Sequence, residues 1–251
     1  MKETKFDATQ GIRVFGNDQE IENMLIQLTQ DTTIKELSKI FPLYIRRVWL
    51  KKFLAHYELF SKIKEVEGDV VELGVFRGLS LFSFAIFNEF FEKKQRTIFG
   101  IDNFEGFSII TEEDGEGYDV PKYEGGFSPA NYYEELIHLI EKFNKEAKYT
   151  QIKILKGNVE DVVYDFEGKQ SNQLALIHFD VDIYIPTKIG LENLYPLLNK
   201  KGIMIFDEYS IIEWSGETKA VDEYFEDKDV DFKKLPWQGA PSAYIIKEYN
   251  E

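Results

Sequence analysis

Four carboxylates close two strongly apolar runs. Asp180 and Asp182 follow LALIHF, and Asp207 and Glu208 follow GIMIF. Residues two apart on an extended chain face the same side, so Asp180 and Asp182 point together. Gathering carboxylates at neighbouring strand ends is costly unless something positive neutralises them. Oxygen donors without sulfur, and with little nitrogen, favour Mg²⁺, Mn²⁺ or Ca²⁺ over zinc. A single aspartate at such a place reads as the cap of the next helix. Two acidic pairs on consecutive strands point instead to a metal-binding or catalytic role. His178, inside the first run, is expected to pack within its strand rather than to act as a ligand.

Three other turns carry chemistry-bearing residues. The first is Glu72-Leu-Gly74-Val-Phe-Arg77-Gly78-Leu-Ser80. Glycine lets the backbone approach a ligand closely, and the following helix aims free amides at whatever lies there. The spacing is not the dinucleotide fingerprint G-x-G-x-x-G, because Phe76 fills the middle position. The second turn closes a strand at Asp102, where an open α/β fold holds ribose hydroxyls. The third, Gly157-Asn158-Val159, precedes a helix. Asn158 either caps that helix or borders the adenine edge of a nucleotide.

Elements must position these turns. Residues up to about 66 read as helical, and within them Arg46, Arg47, Lys51 and Lys52 form a positive patch expected on a solvated face. In the same stretch Val48, Trp49, Leu50, Phe53, Leu54, Tyr57 and Phe60 suit a helix packed on a larger core. From Gly68 the chain alternates strand and helix five times, then ends in two antiparallel strands around a Pro/Gly turn. Alternation of this kind predicts a mainly parallel seven-stranded α/β sheet, helices on both faces and an antiparallel terminal strand. The division expected is a helical extension over 1–66 and one globular unit over 67–251. A long loop, about 103–127, has the length of a functional lid. Ser128 and Pro129 are expected to cap and open the helix after it.

Composition narrows the classes. The 251 residues are 43% hydrophobic, as in a globular protein, and 30 basic against 45 acidic residues give a charge of −15. That surplus argues against nucleic acid or an anionic membrane as partner. No cysteine is present, which removes disulfides, thiol nucleophiles and Cys-ligated metals. The start MKETKFDATQ lacks a signal-peptide pattern and no run approaches a membrane span, so a cytoplasmic location is the expectation.

Taken in order, these turns make the chain resemble the macrocin- and mycinamicin-type sugar O-methyltransferases, from about Leu54 to Ile246. The E-x-G-x-x-x-G turn is similar to the first motif of S-adenosylmethionine (AdoMet)-dependent methyltransferases. GIDNFEGF, GGFS, LIHFDVDIYIPTKIGLENLYPLL, GIMIFDEY and WSGETKAVDEYF carry the rest. The resemblance implies a Rossmann-like class I methyltransferase fold, AdoMet as donor and a divalent metal, usually Mg²⁺. The acceptor it implies is a hydroxyl on a sugar or glycosylated small molecule, as in natural-product or glycan biosynthesis.

By the same resemblance, Glu72, Gly74, Gly78 and Ser80 would line the methionine and ribose end of AdoMet. Asp102 would bind the ribose hydroxyls, and Asn158 and Val159 would lie by the adenine. Asp182, Asp207 and Glu208 would hold the metal, with Asp180 close by on the cofactor side and Asp182 as general base. Glu208 stands where the family more often has aspartate, and Leu79 where it often has glycine. The 109–123 loop, without a clear match, would help set the acceptor. The N-terminal helices could cover this subunit's own site or that of a partner copy. A catechol-type O-methyltransferase and an AdoMet-binding protein without methyl transfer are the alternative readings.

Overall fold

The structure, a computed structural model, describes residues 33–39, 41, 45, 47–115, 122–129, 132–169, 173–237 and 239–248. Most of the expected N-terminal extension and the 116–121 part of the acidic loop lie outside those residues.

Six strands form one sheet: β1 Asp69–Leu73, β2 Arg96–Asp102, β3 Thr150–Lys156, β4 Leu174–Phe179, β5 Leu198–Phe206 and β6 Ala243–Ile246. Their order is β3-β2-β1-β4-β5-β6, parallel throughout except that β6 runs antiparallel to β5. All six residues of β4 are buried, as expected for a central strand covered on both faces. The order reverses between β1 and β4, and an open α/β sheet binds ligands beyond the strand ends at such a point.

The helices are α1 Ile34–Lys39, α2 Arg47–Lys62, α3 Leu79–Phe91, α4 Tyr133–Glu146, α5 Val159–Lys169, α6 Tyr184–Leu194 and α7 Ser215–Tyr224. One core joins α2, α3 and α4 to a sheet face through residues such as Phe60, Phe84, Leu136, Val70, Leu176 and Ile203. The other joins α5, α6 and α7 to the opposite face through Val163, Leu191, Val221, Val71, Ile177 and Met204. The period-two alternation of strands sorts these two sets. It also sends Glu72, His178 and Asp207 toward the α2 face, where they form a polar layer above an apolar one.

Three expectations change. The seventh strand is absent among the described residues. Lys233 makes an isolated antiparallel bridge with Tyr244, while Phe232 turns its ring onto Tyr209, centroids 4.7 Å apart, and Pro236 has no amide to extend a ladder. The helix after the long loop starts at Tyr133, not Pro129, and Pro129 lines the cavity described below. The third change is in α2. Phe60 is fully buried, but Val48, Trp49, Leu54 and Tyr57 are 42–47% exposed. Lys52, expected on a solvated face, points inward with its side chain only 12% exposed.

Candidate functional site

Backbone hydrogen bonds continue past the strand ends and align the tips. Gly74 N donates to Ile101 O at 2.9 Å, Asp180 N to Leu73 O at 2.9 Å, Asp207 N to Phe179 O at 3.0 Å and Gly157 N to Asp102 O at 3.0 Å. Gly74 has φ 84°, and a Cβ there would stand 1.9 Å from the backbone oxygen of Asp180. Glycine is therefore needed where the tips of β1 and β4 cross.

A cavity of about 350 Å³ opens over this row of tips. Gly74, Ser80, Asp102, Asn158, Val159, Asp180, Asp182, Asp207 and Glu208 all line it, so most of the site residues expected from sequence come together. Gly78 and Glu72 do not. Gly78 sits at φ 83° as the residue preceding α3, where it shapes the turn. Glu72 is fully buried beneath the floor, its Oε1 2.9 Å from His178 Nδ1. Asp102 is partly spent on the protein itself. Its Oδ2 accepts the amides of Val75 at 2.7 Å and Phe76 at 2.8 Å, and its Oδ1 accepts that of Phe104 at 2.6 Å. Each carboxylate oxygen offers about two acceptor positions, so Oδ1 keeps one for a ligand hydroxyl.

The acidic side of the floor is a charge network. Lys52, from α2, places Nζ 2.7 Å from Asp207 Oδ2 and 3.1 Å from Asp180 Oδ2. His178 Nε2 lies 3.5 Å from Asp207 Oδ1, beyond an ordinary hydrogen bond but close enough for attraction between charges. Burial opposes ionisation of His178, yet Asp207 and Glu72 outweigh it and lift the imidazole to about 10. Burial likewise opposes the charge on Asp207, but Lys52 and His178 hold that carboxyl well below the usual range. His56, one helical turn after Lys52, packs edge-on against His178 at 5.0 Å. Its burial, with the positive charges of His178 and Lys52, pushes its pKa well below the ordinary value.

In the other acids burial and like charges outweigh the nearby cations. Burial, then the charges of Asp180 and Asp207, raise Asp182 to about 8. Burial and Asp207 raise Asp180 to about 6, against the pull of Lys52 and His178. Glu208 is pushed well up by burial and by Asp207 and Asp182. Asp182 also has φ 63°, a conformation that costs a non-glycine residue about 1–3 kcal/mol and collects at functional sites.

The opposite wall is aromatic. Phe107, Phe127 and Trp214 line the cavity together, with ring centroids 5.4–6.0 Å apart, and Lys122 sits 5.1 Å over the Trp214 ring. Part of the acidic loop is built in below them. Asp114 is fully buried, and its Oδ1 accepts the Tyr184 amide at the start of α6 at 2.7 Å.

The family model described as macrocin-O-methyltransferase (TylF) matches residues 50–238. The chain belongs to the macrocin-O-methyltransferase family. A tetracenomycin-C rhamnosyl 4'-O-methyltransferase of Streptomyces olivaceus is 30% identical over 148 residues, 58% of this chain and 54% of that protein. The mycinamicin III 3''-O-methyltransferase of Micromonospora griseorubida is 29% identical over 160 residues, 58% of this chain and 57% of that protein. The chain thus spans little more than half the length of these curated relatives. Among solved structures, the calicheamicin methyltransferase CalS11 superposes with a TM-score of 0.82 at 27% identity, covering 97% of both chains. An apo structure of CalS11, described as a TDP-rhamnose 3'-O-methyltransferase, gives 0.72 at 28% identity over 93% of this chain and 96% of that one.

The family's expected metal can be tested against the floor's own charges. The donors are all oxygen, and Asp182 and Glu208 are held up first by burial and then by the charges of the neighbouring acids, a cost that a cation would relieve. In kind, they fit a hard divalent cation. In geometry, Asp182, Asp207 and Glu208 are not among the described groups whose ligand atoms lie within 4.8 Å of one another. Those groups are His56–His178–Asp207 and Glu72–His178–Asp180. A metal on the expected three acids requires their side chains to draw together.

Sequence reasoning missed Lys52, His56 and Glu217. Lys52, His56 and Phe60 recur every fourth residue along the inward stripe of α2, a signal present in the sequence but hidden by the neighbouring basic residues. Glu217, fully buried on α7, accepts the Glu208 amide at 3.0 Å. It lies inside the quoted WSGETKAVDEYF segment with no periodicity to mark it.

Proposed function

We propose that this chain transfers a methyl group from AdoMet to a hydroxyl of a sugar or glycosylated small molecule, assisted by a divalent metal. The observation that carries the reading is that Gly74, Ser80, Asp102 and the acids Asp182, Asp207 and Glu208 line one cavity. The sugar acceptor is supported by two relatives, one named for a rhamnosyl-tetracenomycin substrate and one for TDP-rhamnose.

AdoMet carries its methyl on a sulfonium, so the C–S bond breaks as the acceptor oxygen forms the new O–C bond. What remains for the protein is alignment and removal of the hydroxyl proton. Gly74 and Ser80 would receive the methionine end, the free Oδ1 position of Asp102 a ribose hydroxyl, and Asn158 and Val159 the adenine edge. Asp182 would take the proton from the acceptor hydroxyl. A metal held by Asp182, Asp207 and Glu208 would stabilise the developing alkoxide. The Phe107, Phe127 and Trp214 wall, with Trp49 of α2, would face the acceptor.

The reading includes a helical extension over 1–66, a methyltransferase unit over 67–251 and a cytoplasmic location. Among the described residues no helix is long and apolar enough to cross a membrane.

The test is a methylation screen with labelled AdoMet over nucleotide-linked and glycosidic rhamnoses and over catechols, each with Mg²⁺ and with EDTA. Label on a sugar oxygen only in the presence of metal is expected. Label on catechols alone would overturn the sugar acceptor, and undiminished transfer in EDTA would remove the metal.

A further inference from the structure

The most unusual group in the cavity is a lysine where the family reading calls for a metal. Lys52 lies on the inward stripe of α2, and its ammonium bridges acids from two different strands, 2.7 Å from Asp207 and 3.1 Å from Asp180. The side chains of Lys52 and Asp207 are only 12% and 2% exposed, so water screens little of this pairing. Asp207 is filled from both sides: Oδ2 faces Lys52, and Oδ1 faces His178 at 3.5 Å. Any cation that uses Asp207 must share a carboxylate that already has a cation on it.

We propose that Lys52 and a divalent metal exchange on Asp207, the ammonium serving as counter-ion of the strand-tip acids until the metal displaces it. Three features support exchange over a permanent lysine. Lysine is a single charge on a flexible four-carbon stem with no fixed coordination geometry, so it can leave by rotation about its own bonds. The Lys52 ammonium pairs with Asp180 and Asp207 and not, among the described residues, with Asp182 or Glu208, whereas a divalent ion can hold several carboxylates at once. Lys52 also lines the cavity itself, so it has open space to move into. Two cations on one carboxylate repel, and lysine therefore weakens the metal.

The inference rests on the metal part of the proposed function, and the experiment separates the two. Mn²⁺ binding to the full chain is titrated by the resonance signal of the free ion, for the wild type, Lys52→Gln and Lys52→Met. Both variants are expected to bind Mn²⁺ at least tenfold more tightly than the wild type. Wild-type binding with no gain in folded variants overturns the exchange and leaves the metal in place. No Mn²⁺ binding by any of the three overturns both. A second measurement needs no variant: amine-specific methylation of the wild-type protein, mapped by peptide mass spectrometry. Modification of Lys52 is expected to rise on adding Mg²⁺ while that of an exposed lysine such as Lys200 stays constant. Equal modification of Lys52 with and without Mg²⁺ contradicts the proposal.

Discussion

At Asp182 two costs coincide: a left-handed φ of 63° and a carboxyl pushed up to about 8 by burial and the charges of Asp180 and Asp207. Asp182→Gly removes both, since glycine adopts that conformation without strain. The variant is expected to be more stable than the wild type by about 1 kcal/mol in urea melts, and inactive. Destabilisation by a similar amount would mean that the carboxyl is held there for the fold. At this scale the acids were legible because each directly follows an apolar run. Lys52 was not, because charge type suggested a solvated face while its position on the helix assigned it to the core side. Glu72 was half legible: its strand-end place was right, but Glu72 pairs with His178 across β1 and β4, a contact that depends on strand order.

Between elements, polar side chains tie the layers that hold the tips. Glu89, near the end of α3, accepts the amides of Lys148 at 3.1 Å and Tyr149 at 2.8 Å, where the chain enters β3. Burial works to raise its pKa, but these backbone hydrogen bonds outweigh it and leave the carboxyl below its ordinary value. A depressed folded pKa contributes stability that is present above the unfolded pKa and lost as pH falls through the folded one. Glu89→Gln is therefore expected to cost on the order of 1 kcal/mol at pH 7, after allowing for solvent screening. The gap from the wild type should close in acid. Urea melts at pH 7 and pH 3 check this, and an equal gap at both would contradict it. The five β-α units were readable from apolar runs and helical spacing. The terminal pair was not, because Phe232 is drawn to a distant ring on Tyr209 rather than continuing a strand. The helix opening at Tyr133 was missed because the Ser128-Pro129 signal is local and says nothing of where the helical run itself begins.

The whole molecule encloses its site between parts far apart in sequence. The sheet supplies the acid floor, the 103–127 loop and Trp214 supply the aromatic wall, and α2 closes the side with Trp49 and Lys52. Its charge of −15 disfavours non-specific contact with polyanions, and the cavity holds part of that acid in buried positions. This arrangement predicts that donor binding and proton removal use different residues of one cavity, so they can be separated. The direct test is Asp182→Asn, with AdoMet affinity measured by calorimetry and single-turnover methyl transfer to a sugar acceptor measured on the same preparation. The account predicts affinity close to that of the wild type and transfer slower by about 10²–10⁴-fold. Transfer at the wild-type rate, or loss of AdoMet binding together with transfer, would contradict it.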